Sequence, residues 1–312
     1  MPEPSPSDAA TGTTGEELAQ EFLRHRRRLV ALAYRMVGSA WDAEDIVEDA
    51  MVRWLGVDRE EVREPAAFLT TMVTRLALDH LRSARATRER YVGPWLPEPV
   101  LTAASARGPL EVLERRETAS LATLRMMEAL SPPERAVLVL REGFDVPYAE
   151  IADVLGISVD HARHHLQRAR ARLRATADDG ERDDAKRFAP DPDAHAALFG
   201  RFLDALAGGD FGRLRDLLAE EATAYSDGGG KVRAALHPLV GGDRVARFYA
   251  GLRARLPLRD ARRLEVNGRP AALVTLGDQV VLLAVEVRGD RIVEVHSVLN
   301  PDKLRFLHRQ LG

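Results

Sequence analysis

The sequence predicts a multidomain protein, two all-α domains followed by a C-terminal α+β domain. Three observations carry that reading. Apolar residues recur at helical spacing from Glu16 to about Ala86, and again from Pro109 to about Thr176. Two breaks interrupt the pattern: Tyr91–Gly108, which holds Pro94, Pro97 and Pro99, and the charged run 177–192. Beyond the second break the runs become short and β-rich. At roughly 150 residues per domain, a chain of 312 residues accommodates two or three such units.

Residues 1–15 are rich in Pro, Ser, Thr, Gly and Ala and bury little, so a disordered tail is expected. The first helical domain spans 16–86. Leu18, Phe22, Leu29, Leu32, Ala33 and Met36 form one stripe, and Gly38 stops it. Ser39 with Asp42 resembles a capping box and opens a helix over Trp41–Leu55. Pro65 opens another, Ala66–Arg85, whose stripe is Phe68, Leu69, Met72, Val73, Leu76 and Leu81. Residues 87–108 form a linker, yet Tyr91, Val92, Trp95 and Leu96 are too apolar for a merely solvated one. The second helical domain, 109–176, contains a well-formed helix start at Ser131-Pro132-Pro133-Glu134. A charged linker, 177–192, leads to the last domain, 193–312. There Asp193–Leu206 and Phe211–Leu218 read as helices. Ala222–Ser226, Ala271–Leu276, Val280–Val287 and Ile292–Val298 read as strands, the last two joined by a tight turn at Gly289-Asp290.

Composition excludes several classes. The chain has 45 Lys+Arg against 48 Asp+Glu, so any nucleic-acid case rests on where charges cluster. The absence of Cys rules out disulfides, zinc ribbons, iron–sulfur clusters and thiol chemistry. The longest run without charge is the ten residues Pro65–Thr74, far below the ~18 of a membrane span. The polar N-terminus is no signal peptide, so a cytoplasmic protein without membrane attachment is expected.

Local charge is sharply polarised. In Tyr148–Arg174 a short helix, Ala149–Leu155, ends at Gly156, and Ser158 caps a longer one. Ile151, Ala152 and Leu155 are spaced to pack on Ile157, Ala162 and Leu166, the helix-turn-helix arrangement whose second helix enters the major groove. Between Ser158 and Arg174 there are five Arg and one Asp. Arg163, His164, Gln167 and Arg168 share one exposed side suited to base edges, while Arg170, Arg172 and Arg174 suit phosphates. The competing reading is a solvated basic helix beside an incidental turn; cap, Gly stop, apolar pattern and charge agree against it. His161, His164 and His165 lack a carboxylate companion, so no metal is expected. The helix after Ser39 is the opposite pole, with Asp42, Glu44, Asp45, Glu48 and Asp49 within eight residues. Taken alone, that is as readily a solvated acidic face near a helix start. The next helix is basic again, with Arg75, Arg82, Arg85, Arg88 and Arg90 against Asp79 and Glu89, and is equally ambiguous alone.

Together these segments are recognisable. AYRMVGSAWDAEDIVEDAMVRWL with PAAFLTTMVTRLALDHLRSAR, and then SPPERAVLVLREGFDVPYAEIADVLGISVDHARHHLQRARARLR, resemble regions 2 and 4 of bacterial extracytoplasmic-function sigma factors. The linker YVGPWLPEP, DGGGK (Asp227–Lys231) and NPDKL (Asn300–Leu304) resemble the subgroup with a fused C-terminal SnoaL-like domain. The resemblance covers about residues 18–312. It implies a sigma region 2 helical bundle, a sigma region 4 helix-turn-helix and an α+β SnoaL-like cone. It also implies a promoter-specificity subunit, with core RNA polymerase (the β′ clamp helices and the β subunit) and promoter DNA as partners. On that basis Glu44, Asp45, Glu48 and Asp49 face polymerase. Thr71, Thr74, Arg75, Leu78, Asp79, Arg82 and Arg85 serve the −10 element, although many family members carry Asn where this chain has Arg75. Arg163, His164, Gln167, Arg168 and Arg170 read the −35 element. Tyr91, Trp95 and Pro97 of the linker meet Asp227, Gly228, Gly229, Gly230 and Lys231, and Asn300, Pro301, Asp302, Lys303 and Leu304, for regulation in cis.

The SnoaL-like resemblance implies a curved antiparallel sheet around an apolar cavity that could hold an unknown small ligand. Asp227, Tyr225, His237 and His296 are its titratable or polar candidates, but no paired acid–base set stands out, so no catalysis and no cofactor are expected. The glycines between Asp227 and Lys231 lack the Gly-Lys-Ser/Thr continuation of a phosphate loop, and Lys231-Val-Arg leads towards apparent strand. A positive-φ bulge or hairpin is the plainer reading. Two other functions compete: a one-component regulator with a ligand-sensing C-terminal domain, and a SnoaL-type enzyme with an appended DNA-binding module. The regulator reading leaves the acidic and Arg-rich helices of residues 39–90 unexplained.

Overall fold

The computed structural model describes residues 15–58, 62–88, 90–102, 119–176 and 191–312. The expected N-terminal tail, the segment 103–118 and nearly all of the second linker lie outside the described residues. Three helices form the first bundle: α1 (Gly15–Val37), α2 (Ala40–Trp54) and α3 (Pro65–Arg88). Gly38 turns the chain between α1 and α2 at φ +72°, a left-handed conformation that costs glycine nothing. Ser39 then caps α2, its hydroxyl accepting from the Asp42 amide at 3.2 Å. Trp54 closes the bundle's end, fully buried, with its indole N–H on the Leu18 carbonyl at 2.8 Å.

The second block holds α4 (Leu121–Met127), α5 (Pro132–Leu138), α6 (Tyr148–Leu155) and α7 (Val159–Thr176). A π turn, Val139–Gly143, prolongs α5. Ser131 and Glu134 make the expected capping box. Gly156 ends α6 in the left-handed conformation, and the Ser158 hydroxyl accepts from His161 N at 3.2 Å to start α7. The two helical blocks are not independent bodies. Leu29, Leu32, Leu69, Val73, Leu138 and Ile151 belong to one continuous apolar core, and Arg135 donates to the Arg35 carbonyl at 3.3 Å.

The C-terminal domain runs α8 (Pro192–Gly208), α9 (Phe211–Leu217), β1 (Leu218–Asp227), β2 (Leu239–Val240), α10 (Gly242–Arg255), β3 (Leu258–Val266), β4 (Arg269–Leu276), β5 (Gln279–Arg288), β6 (Arg291–Val298) and α11 (Pro301–Leu311). Its sheet has the order β2-β1-β6-β5-β4-β3. The expectation of a wholly antiparallel sheet is corrected at one seam, where β1 and β6 pair in parallel. Turns after β3, β4 and β5 reverse the chain three times, which returns β6 beside β1 in the same direction. The expected strand after Lys231 is also absent: Lys231–Pro238 is irregular and leads into the two-residue β2.

Both faces of this sheet are covered. One packs Ala272, Val274, Leu283, Val285 and Val295 against Phe199, Phe202, Leu206 and Tyr249 of α8 and α10. The other packs Val266, Ala271, Leu282, Ala284 and Val298 against Leu304 and Leu307 of α11, Leu121 of α4, and Leu96 and Leu101 of the linker. The space between the sheet and α10, lined by Phe248, Tyr249, Leu252, Val281 and Leu283, is only about 50 Å3. Pockets for drug-sized ligands start at roughly 300 Å3, so the cone's interior is largely filled by its own side chains.

Glu134 shows how local pairing sets acid sensitivity. It is 2 % exposed and accepts from Arg172 at 2.6 Å, from Ser131 N at 3.0 Å and from the Ser131 hydroxyl at 2.7 Å. Burial alone would push its carboxyl pKa up, but those hydrogen bonds and the guanidiniums of Arg172 and Arg168 carry it below the usual carboxylate range. A carboxylate depressed below its unfolded value of about 4.3 stabilises the fold above that pH and loses the contribution as pH falls through the folded pKa. Replacing Glu134 by Gln is expected to cost about 1–3 kcal/mol at neutral pH. It should also flatten the acid side of the urea midpoint-versus-pH profile; an acid limb identical to that of the parent would refute the assignment.

Candidate functional site

The acidic helix is only partly open. Asp45, Glu48 and Asp49 are exposed on α2, while Ile46, Val47 and Ala50 pack inward. Glu44, expected on the same open face, is instead buried. Its carboxylate accepts from Arg309 of α11 at 2.6 Å. The Arg309 guanidinium lies over the Trp41 ring, 4.1 Å from its centroid, and Phe306 meets Trp41 edge-on at 5.3 Å. Helix α11 therefore covers the first half of α2.

Helix α3 is also engaged. Arg75 donates from Nε to the Val154 carbonyl at 3.2 Å and from a terminal nitrogen to the Asp153 carbonyl at 3.3 Å. A cation at those last carbonyls of α6 is electrostatically favoured. Thr74 is fully buried, its hydroxyl on the Thr70 carbonyl at 2.7 Å, and Leu78 is buried in the shared core, so neither is on the open surface as expected. Thr71 is half-buried with its hydroxyl on Ala67 at 3.0 Å; Asp79 and Arg82 are exposed and paired at 3.1 Å. The side chain of Arg85 lies outside the described residues.

Helix α7 presents the open basic face. Arg163, His164, Gln167 and Arg168 are all exposed. Arg163 leans on Asp160 at 3.0 Å, Arg168 meets a ring nitrogen of His165 at 3.2 Å, and Arg170 pairs with Glu142 at 2.7 Å. Such exposed pairs are worth little and exchange readily for phosphate or base contacts.

The linker joins everything. Asp227, at the end of β1 and fully buried, accepts at one carboxylate oxygen from the Tyr91 hydroxyl at 2.5 Å. Its other oxygen accepts from Leu96 N at 2.8 Å and Lys303 Nζ at 2.7 Å. Lys303 also donates to the Leu96 carbonyl, and its ammonium lies 4.1 Å from the Trp95 ring centroid and 4.7 Å from that of Tyr91. Burial, reinforced by the Asp227 carboxylate, pushes the Tyr91 phenol far up, so it stays protonated and donates to Asp227. Asn300 donates to the Tyr91 oxygen at 2.8 Å while capping α11, where Pro301 takes the first helical position. Gly229 and Gly230 have positive φ, and a side chain at Gly229 would strike the Asn300 amide. Gly228 is packed against Val232, Lys231 pairs with Asp302 at the surface, and Pro97 and Leu304 are buried.

Four further residues, Glu98, Tyr34, Asn267 and Gln310, complete the seam without having been singled out in the sequence. Glu98 caps α2, accepting from Ala40 N at 2.6 Å, and the Tyr34 hydroxyl donates to its carbonyl at 2.6 Å. Asn267 exchanges hydrogen bonds with the Val100 backbone and donates to Tyr34 at 2.8 Å. Gln310 of α11 accepts from Leu101 N at 2.9 Å, beside the Arg309–Glu44 pair. Asn267-Gly268 carried a readable signal, since Asn-Gly is a strong hairpin dipeptide. His237 takes no part in the seam. His296 is buried against Glu294 at 2.8 Å, on the sheet face turned towards the helical blocks, where Arg125 reaches Glu294 at 2.6 Å.

The comparisons with known proteins agree with this layout. Residues 22–87 match the model of sigma-70 region 2, and residues 120–173 match that of sigma-70 region 4. The chain is 39% identical over 295 residues to the ECF RNA polymerase sigma factor SigJ of Mycobacterium tuberculosis, covering 91% of this chain and 92% of that protein. This chain is an extracytoplasmic-function sigma factor. The crystal structure of SigJ superposes with a TM-score of 0.74 at 34% identity, over 91% of this chain and 97% of that one. A probable ECF sigma factor of the same organism, SigI, is 29% identical across 92% of this chain and 95% of its own length. This sigma factor directs RNA polymerase core to promoter DNA, and its family is non-catalytic. No helix among its described residues is long and apolar enough to cross a membrane.

Replacing Asp227 by Ala strands the Lys303 ammonium in a buried site. The expected loss is about 3–5 kcal/mol, the usual cost of removing one partner of a buried ion pair. It should appear in urea unfolding of the full chain and in faster proteolysis within the linker. A loss below about 1 kcal/mol would mean that the pair behaves as a solvated surface bridge.

Proposed function

We propose that the C-terminal domain holds this sigma factor closed, and that promoter engagement requires the latch around Asp227 to yield. The observation that carries this reading is the hydrogen bonding of Arg75, on the helix assigned to the −10 element, to the end of α6, the first helix of the helix-turn-helix. By their names the −10 and −35 elements lie about 25 base pairs apart, on the order of 80 Å of straight duplex at 3.4 Å per pair. Helices in direct contact cannot reach both. Region 2 and region 4 therefore part before both elements are bound, and the linker between them is gripped by Asp227, Lys303 and Asn267.

The roles of individual residues follow. Asp45, Glu48 and Asp49 meet the polymerase β′ clamp helices in the closed state as in the open one. Glu44 becomes available only when Arg309 leaves it. Arg75, with Thr74 and Leu78 behind it, serves the −10 element after α6 withdraws. Arg163, His164, Gln167 and Arg168 read the −35 element, and Arg170 supports them at phosphate. The linker residues, the Asp227–Lys231 loop and the Asn300–Leu304 segment regulate in cis.

Charge reversal at Asp45 and Glu48 is expected to abolish co-purification with core polymerase while leaving the melting curve intact. Normal co-purification would refute the acidic-helix assignment. Arg163→Ala and Arg168→Ala should each weaken −35 binding by about 1–3 kcal/mol, with polymerase binding unchanged; unaltered promoter affinity in both would move the reading face elsewhere. Arg309→Glu places two carboxylates together, frees α11 from α2, and is expected to tighten binding to core polymerase. If promoter-dependent transcription and core affinity are the same in this variant, in a chain ending at Leu299 and in the full chain, the closed-state reading fails.

A further inference from the structure

A groove of about 940 Å3 opens where four parts of the molecule converge. These are the end of the described linker, the start of α4, the first turn of α8 and the β3–β4 hairpin. It is separate from the small cavity beneath α10, and none of the residues assigned to polymerase or promoter lines it. Three guanidiniums do: Arg262, Arg263 and Arg269. Most arginines elsewhere in the molecule are spent on carboxylates or carbonyls, for example Arg75, Arg125, Arg135, Arg170, Arg172 and Arg309. Among the described residues, the side chains of Arg262, Arg263 and Arg269 make no hydrogen bond and no ion pair. Two carboxylates share the lining, Asp193 and Glu265, and the Glu286 carboxylate lies near Arg269. Glu265 is already held by the Thr102 hydroxyl at 3.1 Å.

The first turn of α8 borders the groove, with its N-terminal end already met by the Asp191 cap and by Asp193. This 17-residue helix begins at Pro192, and Pro192, Asp193, His195 and Ala196 line the groove. Arg263, on the edge strand, lies against α8 at Gly200, where an added Cβ would stand 3.5 Å from its guanidinium. His195 supplies the independent observation. It is fully buried, its Nε2 meets the Val285 carbonyl at 3.0 Å, and its Nδ1 has no partner. Burial, with Arg269 nearby, lowers its pKa, so the ring is neutral. With Nε2 donating to Val285, Nδ1 is left as an unfilled acceptor, a group that calls for a hydroxyl donor.

We propose that this groove binds a small phosphorylated metabolite carrying a hydroxyl group. Arg263 and Arg269 clamp the phosphate, Arg262 neutralises its charge, and His195 accepts from the hydroxyl. The site lies on the seam itself: Asn267, which grips Val100, Tyr34 and Ala119, belongs to its lining. An occupant would tie the β3–β4 hairpin to the start of region 4.

The test is calorimetric titration of the full-length protein with two probes, inorganic phosphate and ribose 5-phosphate. Saturable binding at one site is expected, with ribose 5-phosphate the tighter. Arg263→Gln and Arg269→Gln should each weaken it about tenfold or more, whereas Arg259→Gln, on the same strand but outside the groove, should not. His195→Phe should erase the advantage of ribose 5-phosphate over phosphate. If that variant fails to fold, the two Arg variants still decide the matter. Absence of binding by either probe, or equal binding in the Arg263→Gln/Arg269→Gln double variant, overturns the proposal. So does a double variant that loses promoter affinity while neither probe binds the parent, which would assign these guanidiniums to the DNA backbone.

Discussion

A single buried carboxylate organises the molecule. Taking an ion such as that of Asp227 into a low-dielectric interior carries an effective penalty of several kcal/mol, and the chain offsets it with three donors to the carboxylate. The two carboxylate oxygens take Tyr91, Leu96 N and Lys303, and the backbone carbonyl takes Leu299 N and Asn300 N at 2.8 Å each. The donors come from three places far apart in sequence: the linker, the last strand's exit and α11. Of these, the linker stretch and the strand exit belong to no regular ladder or helix there. Remove the carboxylate, and the linker and α11 lose the partner that satisfies them in the absence of water, while the strand exit keeps the Asp227 carbonyl.

The linker is consequently a structural element. Its outer side meets Asp227, Lys303 and Asn267; its inner side meets the first bundle. Trp95 lies against Gly38, where an added Cβ would stand 2.7 Å from the ring, so one glycine serves both the helix stop and the indole's seat. Two residues beyond Pro97's neighbour Leu96, the Glu98 side chain caps the acidic helix α2. The same few residues thus touch both ends of any opening motion. Contacts that share partners in this way are expected to break together rather than independently.

The sequence made some of this legible and concealed the rest, for physical reasons. Helix starts at Ser39 and Ser131, and the stop at Gly156, follow from capping chemistry that is local, and the structure has them within a residue. The apolar linker signalled a covering surface, and the DGGGK and NPDKL segments were the right places to look for it. What escaped was non-local or atypical. Strand β3 carries Arg259, Asp260, Arg262 and Arg263 on an exposed edge, so it lacks the alternation that marks a half-buried strand. Helix α11 was read only as a motif, although Asn300-Pro301-Asp302 is a cap, a first-turn proline and an acid at the positive end of a helix. The burial of Glu44 was beyond local reading, because it depends on α11, an element distant in the chain.

The arrangement around Glu44 bears on how a closed state of this kind responds to polymerase. One carboxylate cannot serve Arg309 and an external partner at once, so the two associations are linked, and each weakens the other by the same factor. A partner shifts the equilibrium only by its differential affinity for the open form. Asp45, Glu48 and Asp49 are exposed in this structure and Glu44 is not, so on the proposed reading the first three would supply affinity that does not discriminate between states, and Glu44 the part that does. Arg309 is itself half-exposed and lies over Trp41 rather than sealed beneath it, and such partly solvated pairs exchange more readily than the Asp227–Lys303 pair. On the proposed reading, opening from the α11–α2 end would disrupt the weaker contact first and expose Phe306 and Trp41. The buried Asp227 carboxylate at the end of β1, which grips the linker, would be the last to yield.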